Sequence, residues 1–129
     1  MKYLQIVFLA LCGLLYACTA ERDDVRTIEP QTFLLKSQKQ KKATILDVRR
    51  PEEYAAGHLH DAVNLDWLNT KAFKEGALKL DKSRTYFVYC RSGKRSHAAA
   101  EYLKNKGFKV YNLSGGYLNW TEKGLAIEK

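Results

Sequence analysis

The chain has 129 residues, with 22 Lys and Arg against 14 Asp and Glu, a formal net charge of +8 at pH 7 and three cysteines. Once a leading apolar segment is set aside, about 112 residues remain, enough for one domain with a real core and too few for two. The basic excess is scattered except at Lys36 to Lys42 and Arg91 to Arg95; the first run reads as the solvated end of a helix and its following loop, and no nucleic-acid partner is expected.

Met1 and Lys2 give a short basic start, and Tyr3 to Tyr16 is almost wholly apolar, broken by Gln5 and Gly13. That run falls short of the ~20 residues a membrane span requires. It fits a secretory signal peptide, residues 1–17, and an exported, periplasmic protein is expected. The sequence Leu15-Tyr16-Ala17-Cys18 resembles a bacterial lipobox, which makes Cys18 a candidate for lipidation and membrane attachment. Cleavage after Ala20 and an uncleaved anchor are the alternatives. Residues 18–24 then form a tether to a domain over 25–129.

Apolar strand-like runs alternate with helical patterns from there. Val25 to Ile28 reads as a first strand, and Glu29-Pro30 opens a helix to about Ser37 with Phe33, Leu34 and Leu35 near its buried side. Ala43 to Val48, apolar and β-branched, has the look of a strand buried on both faces. Pro51 to Gly57 carries proline and two acids at a helix start and glycine at its end. Ala62 to Leu65 is a short strand, and Asn69 to Leu80 a helix packing through Phe73, Ala77 and Leu78. Tyr86 to Tyr89 is the strongest strand and Ser96 to Lys106 the strongest helix, with Ala98, Ala99, Tyr102 and Leu103 on one face. Lys109 to Leu113 is the last strand, and a Gly115-Gly116 turn leads to a closing helix over Tyr117 to Glu122. This alternation predicts an α/β fold, a mainly parallel central sheet with helices on both faces. Sites in such sheets form beyond the carboxyl ends of the strands.

Cys90 stands at that position. It follows the Tyr86 to Tyr89 run and opens the loop Arg91-Ser92-Gly93-Lys94-Arg95-Ser96 ahead of a helix. Positive neighbours and helix-end amides favour a thiolate, the nucleophilic form of cysteine. Successive backbone N–H groups in a tight turn make an anion-binding concavity, Gly93 lets the turn curl, and Arg91, Lys94 and Arg95 add fixed positive charge. Cys12 lies in the apolar leader, and a lipidated Cys18 would be blocked. Cys90 would then be the one free thiol, either reactive or buried and inert; the basic loop argues for reactive. The implied partner is a small anionic substrate attacked by sulfur.

The stretch Cys90 to Ser96 resembles the active-site loop of the rhodanese family of sulfurtransferases. Leu46-Asp47-Val48-Arg49 with Pro51-Glu52-Glu53-Tyr54, Gly57-His58 with Ala62-Val63-Asn64, and Leu113-Ser114-Gly115-Gly116 with Trp120 match at the right separations, from about Thr27 to Trp120. The resemblance implies a single rhodanese-like domain, similar to small exported members, with thiosulfate sulfurtransferase activity. Cys90 would attack the outer sulfur of an anionic donor, release sulfite and hold a persulfide that cyanide or a thiol then discharges. Residues Arg91, Ser92, Gly93, Lys94, Arg95 and Ser96 would bind the substrate, with no metal and no cofactor. Rhodanese-like phosphatases and arsenate reductases place arginine at the sixth position after the cysteine. Here Ser96 stands there and Arg95 at the fifth, which counts against a phosphatase. A non-catalytic binding module and a periplasmic persulfide carrier or thiol-redox partner are the rival readings, and the intact cysteine weighs against the first.

Other chemistry-bearing residues read as structural. Asp47 and Arg49 suggest an ion pair at a strand end, and Glu52 and Glu53 complement a helix start. His58 and His60 alternate like metal ligands, yet no cysteine or carboxylate spacing completes a site. His58 is read as a turn residue, His97 as a helix-surface residue, and Trp67 and Trp120 as packing anchors. Ser92 and Ser96 either donate to the substrate or cap the helix at Ser96. Oligomeric state is not legible.

Overall fold

The computed structural model describes residues 24–129; the expected signal peptide, Cys18 and most of the tether lie outside them. In chain order the elements are β1 (Arg26–Ile28), α1 (Pro30–Lys39), β2 (Ala43–Asp47), α2 (Pro51–Ala56), β3 (Val63–Asn64), α3 (Thr70–Leu78), β4 (Thr85–Tyr89), α4 (Lys94–Asn105), β5 (Lys109–Leu113) and α5 (Gly116–Glu122). The five strands make one sheet in the order β1-β5-β4-β2-β3, and every pairing is parallel. Parallel neighbours need crossover connections, and the helices provide them.

β4 is central and buried at all five positions, as its run of Tyr, Phe and Val requires. Its side chains alternate between two cores. Tyr86, Val88 and Cys90 join Leu46, Phe73 and Leu103 under α3 and α4. Phe87 and Tyr89 join Phe33, Leu113 and Trp120 under α1 and α5. Phe33 packs edge-on against both Phe87 and Trp120, with centroids 5.4 and 6.1 Å away.

Two helices bury less than their apolar content predicts. Leu35 is 53% exposed and Leu78 88% exposed. In α1 the core-facing stripe centres on Phe33, and each helical step turns about 100°, so Leu35 points away from the sheet. In α3 Phe73 and Ala77, four apart, form the buried stripe, and Leu78 lies beyond its edge. β2 is covered on both faces only toward its carboxyl end: Leu46 and Asp47 are buried, whereas Ala43, Thr44 and Ile45 are partly exposed.

Candidate active site

α4 begins at Lys94, two residues ahead of the sequence expectation. Gly93 explains the early start. It precedes the helix at φ 101°, a left-handed conformation that costs glycine little, and turns the chain at once into the first helical turn. Lys94, Arg95 and Ser96 are therefore the first three helical residues, and the loop proper is only Arg91 to Gly93. Ser96 is not the cap: it is fully buried inside the turn.

The chain closes around one sulfur. Cys90 has no exposed surface. The Gly93 amide donates to its Sγ at 3.1 Å and the Ser96 hydroxyl contacts it at 3.3 Å. Burial pushes the Cys90 thiol up. The hydroxyl and amide of Ser96, with the amides of Gly93 and Ser92, favour the thiolate and outweigh burial, leaving the thiol below its ordinary value. The sequence reading credited positive side chains as well; the donors that dominate are amides and one hydroxyl.

A second turn supports the first from beneath. The amides of Tyr117 and Leu118, in the first turn of α5, donate to the carbonyls of Cys90 and Arg91 at 2.8 and 3.1 Å. Such contact needs a residue without a side chain. A Cβ on Gly116 would lie 2.5 Å from the Cys90 carbonyl oxygen and 2.6 Å from that of Arg91. Gly116 thus lets the first turn of α5 hold the cysteine loop backbone to backbone.

The basic side chains divide into two sets. Arg91 and Lys94 are exposed at the loop. Arg95 is turned away to Glu53, which it grips through both guanidinium nitrogens at 2.8 and 3.0 Å. Glu53 also accepts from the Arg50 amide at 3.5 Å, so the expected helix-start role is present but secondary. Sequence spacing did not expose the pair, because 42 positions separate the partners. An open depression of about 350 Å³ borders the loop, lined among others by Ser92, Lys94, His97, Asn112 and Ser114. A larger one of about 490 Å³ is lined by Arg26, Thr85, Lys109 and neighbours, at the opposite, amino ends of the strands, and has no cysteine in its lining.

Asp47 and Arg49 form the expected ion pair, 2.7 Å apart and almost fully buried. Arg49 also donates to the Gly57 carbonyl at 2.6 Å and lies 4.3 Å over the Tyr117 ring. Tyr89 donates to Asp47 at 2.5 Å, a contact the sequence reading missed. Burial, then Asp47, pushes the Tyr89 phenol far up, so it remains a donor. His58 makes the local contact expected of a turn residue, Nδ1 to the Tyr54 carbonyl at 3.0 Å. His97 is on the helix surface, 3.6 Å from Glu101. Trp67 packs edge-on to Phe73 at 4.9 Å, and Trp120 donates to the Ala126 carbonyl at 3.0 Å. Both behave as packing anchors.

The pattern of the Rhodanese-like domain family matches residues 30–123. The chain belongs to that family. Among relatives of this rhodanese domain, a protein named Sulfurtransferase from Allochromatium vinosum is 37% identical over 84 residues, covering 64% of this chain and 76% of the relative. Thiosulfate sulfurtransferase GlpE of Pseudomonas entomophila is 38% identical over 79 residues, 60% of this chain and 70% of the relative. The tRNA uridine(34) hydroxylase of Pelagibacter ubique is 40% identical over 81 residues; these cover 62% of this chain but only 27% of that protein, so the rhodanese unit spans about a quarter of it. Among solved structures, a rhodanese-related protein of Thermoplasma volcanium superposes with a TM-score of 0.68 at 29% identity, covering 80% of this chain and 97% of its own. Relatives named sulfurtransferases therefore occur among the homologues, and the fold is shared with a solved rhodanese-related protein.

Proposed function

We propose that the protein transfers sulfane sulfur from thiosulfate, or a similar small anionic donor, to cyanide or a thiol through a persulfide on Cys90. The observation that carries this reading is the ring of donors on one sulfur: the Gly93 amide at 3.1 Å and the Ser96 hydroxyl at 3.3 Å, at the end of a buried strand. In the first step the Cys90 thiolate attacks the outer sulfur of thiosulfate. A new S–S bond forms, the bond to the sulfonate sulfur breaks, and sulfite leaves with its electron pair. In the second step cyanide attacks the outer persulfide sulfur, thiocyanate departs and the thiolate is restored. Charge is conserved in each step and no oxidant is consumed. The same amides that favour the thiolate are set to favour the persulfide anion, while Arg91 and Lys94 supply positive charge for the departing oxyanion.

Intact-mass spectrometry before and after thiosulfate, then after cyanide, tests the scheme. Gain of one sulfur atom on the wild type, its removal by cyanide, and no gain on a folded Cys90→Ala variant are expected. No gain on the wild type would rule out thiosulfate as donor. Chain already carrying the extra sulfur at purification would favour a persulfide carrier.

Export and attachment through a lipidated Cys18 are part of the same proposal and rest on sequence alone. Cell fractionation of Cys18→Ser is expected to release the protein from membranes; unchanged membrane association would sink the attachment.

A further inference from the structure

The crossover helices of a parallel sheet end where the next strand begins, so helix carboxyl ends gather at the amino ends of the strands. Lysines there complement the helix dipoles, and Lys36, Lys39 and Lys104 stand in such last turns. The dipoles do not account for the groove at this end. A depression of about 330 Å³ lies between the carboxyl-terminal halves of α3 and α4, with Ala77, Leu80, Tyr102 and Phe108 as its apolar floor. Exposed Lys74, Lys82 and Lys106 rim it, and no carboxylate lines it. The Lys82 ammonium is 5.5 Å from the Phe108 ring centroid, and that of Lys106 is 5.5 Å from that of Tyr102. Among the described residues none of these three lysines forms an ion pair. Asp81, between Leu80 and Lys82, accepts from the Ser83 amide and hydroxyl at 2.8 and 2.7 Å, and Glu75 lies outside the lining. Leu78 completes the groove and is 88% exposed, an apolar side chain left in water.

The path of the chain gives an independent indication. Phe108 also lines the larger depression at this end, together with Arg26, Lys104 and Lys109, so the two depressions adjoin and the basic surface continues across both. Asp24, the first described residue, lines the larger one, and its carbonyl accepts from Lys104 Nζ at 3.2 Å. The chain before Asp24 therefore leaves the domain at this face. Residues 18 to 24 reach at most about 22 Å at full extension, so whatever holds Cys18 stays close to these lysines.

We propose that this face docks on an anionic bilayer, with Lys74, Lys82 and Lys106 meeting lipid phosphates and Leu78 entering the boundary of the acyl chains. Basic side chains around exposed apolar ones suit that interface: lysine stems cover apolar surface while their ammonium heads reach anionic headgroups. A lipid anchor and a basic surface reinforce each other, since a single weak signal holds a protein at a membrane only reversibly. The exit of the chain favours a bilayer over an acidic protein, and that step rests on the attachment proposed through Cys18. The charge and the apolar floor stand without it. The five residues of β4 separate this face from Cys90 by about 16 Å, so docking leaves the cysteine loop on the side away from the lipid.

Hydrogen exchange on the full chain, read by mass spectrometry, tests the face with vesicles of equal parts phosphatidylglycerol and phosphatidylcholine and with phosphatidylcholine alone. Exchange over residues 78–84 and 104–109 is expected to slow roughly threefold or more on the anionic vesicles and to recover in high salt. Alkylation of Cys90 should proceed at the same rate with and without them. Leu78→Asp and the double variant Lys82→Glu with Lys106→Glu should abolish the slowing; all three side chains are exposed, and circular dichroism verifies folding. Equal exchange with and without vesicles, equal slowing on phosphatidylcholine alone, or slowing unchanged in the variants would overturn the face. Slowing by poly-glutamate in place of vesicles would assign it to an acidic protein, and slowing that grows with protein concentration alone to a second copy; either would overturn the bilayer. The anchor is tested separately. A chain that floats with vesicles but shows no local slowing would leave the anchor standing and overturn the face, whereas slowing retained in Cys18→Ser would uphold the face without the anchor.

Discussion

Arg95 and Glu53 hold the first turns of α4 and α2 together through two parallel hydrogen bonds, at 2.8 and 3.0 Å, with both side chains about three-quarters buried. The arginine nearest the end of the cysteine motif is thus engaged by the protein. It acts as a positioning residue for the turn whose amides face Sγ.

This pairing predicts a coupled mutant cycle. Arg95→Ala and Glu53→Gln should each lower stability, and the double variant should cost less than their sum, with a coupling of about 0.5–1 kcal/mol in thermal or urea denaturation. Both singles should reduce kcat/KM for sulfur transfer by similar factors. A loss in Arg95→Ala with none in Glu53→Gln would instead make Arg95 a direct contact of the donor.

The same pair predicts an acid-side stability loss. Hydrogen bonds from Arg95 hold the Glu53 carboxyl below its usual value, against a burial penalty that raises it. A folded pKa below the unfolded one gives stabilisation that is complete above the ordinary carboxylate range and is lost as pH falls through the depressed value. Glu53→Gln should therefore flatten the acid slope of Tm against pH; an unaltered slope would refute the contribution.

Ser96→Ala removes the largest of the interactions that keep the Cys90 thiol low, its hydroxyl contact with Sγ. The thiol should rise, and the acid limb of the pH–rate profile should move to higher pH, with much of the rate recovered above the new midpoint. Alkylation of Cys90 by iodoacetamide across pH should report the same displacement. A uniform fall in rate with no displacement would give Ser96 a role in positioning alone.

Gly116→Ala places a Cβ against the Cys90 and Arg91 carbonyls and forces alanine to φ 59°. The left-handed conformation alone costs about 1–2 kcal/mol. A Tm drop of roughly 5–15 °C is expected. Sulfur transfer should fall further than the unfolded fraction accounts for, since the clash displaces the peptides flanking Cys90.

The order of the elements and the location of Cys90 were legible in the sequence, because both are local signals: runs of β-branched and aromatic residues, and turn residues that punctuate them. What pairwise contact decides was not. Gly93 was legible as a turn glycine, but its left-handed φ, which starts α4 at Lys94 and takes Ser96 from cap to buried sulfur partner, depends on the loop fitting against Leu113 and Gly115. The Arg95 pairing with Glu53 and the approach of Glu128 to His60 join residues 42 and 68 positions apart. Leu78 is apolar by pattern yet exposed, since a helix buries only the stripe that its sheet can cover.

The backing of the cysteine loop by α5 has a consequence for biosynthesis. β4 takes its neighbours from both sides in sequence, β2 before it and β5 after it, and the carbonyls beside Cys90 are bound by amides of Tyr117 and Leu118. A nascent chain that has passed Cys90 but not yet reached α5 lacks the partners that shape the loop. Its thiol is that of an unstructured peptide, with ordinary reactivity. The contacts that favour the Cys90 thiolate are complete only once α5 docks, so a chain not yet made as far as α5 presents no lowered thiol to the oxidants and electrophiles around it.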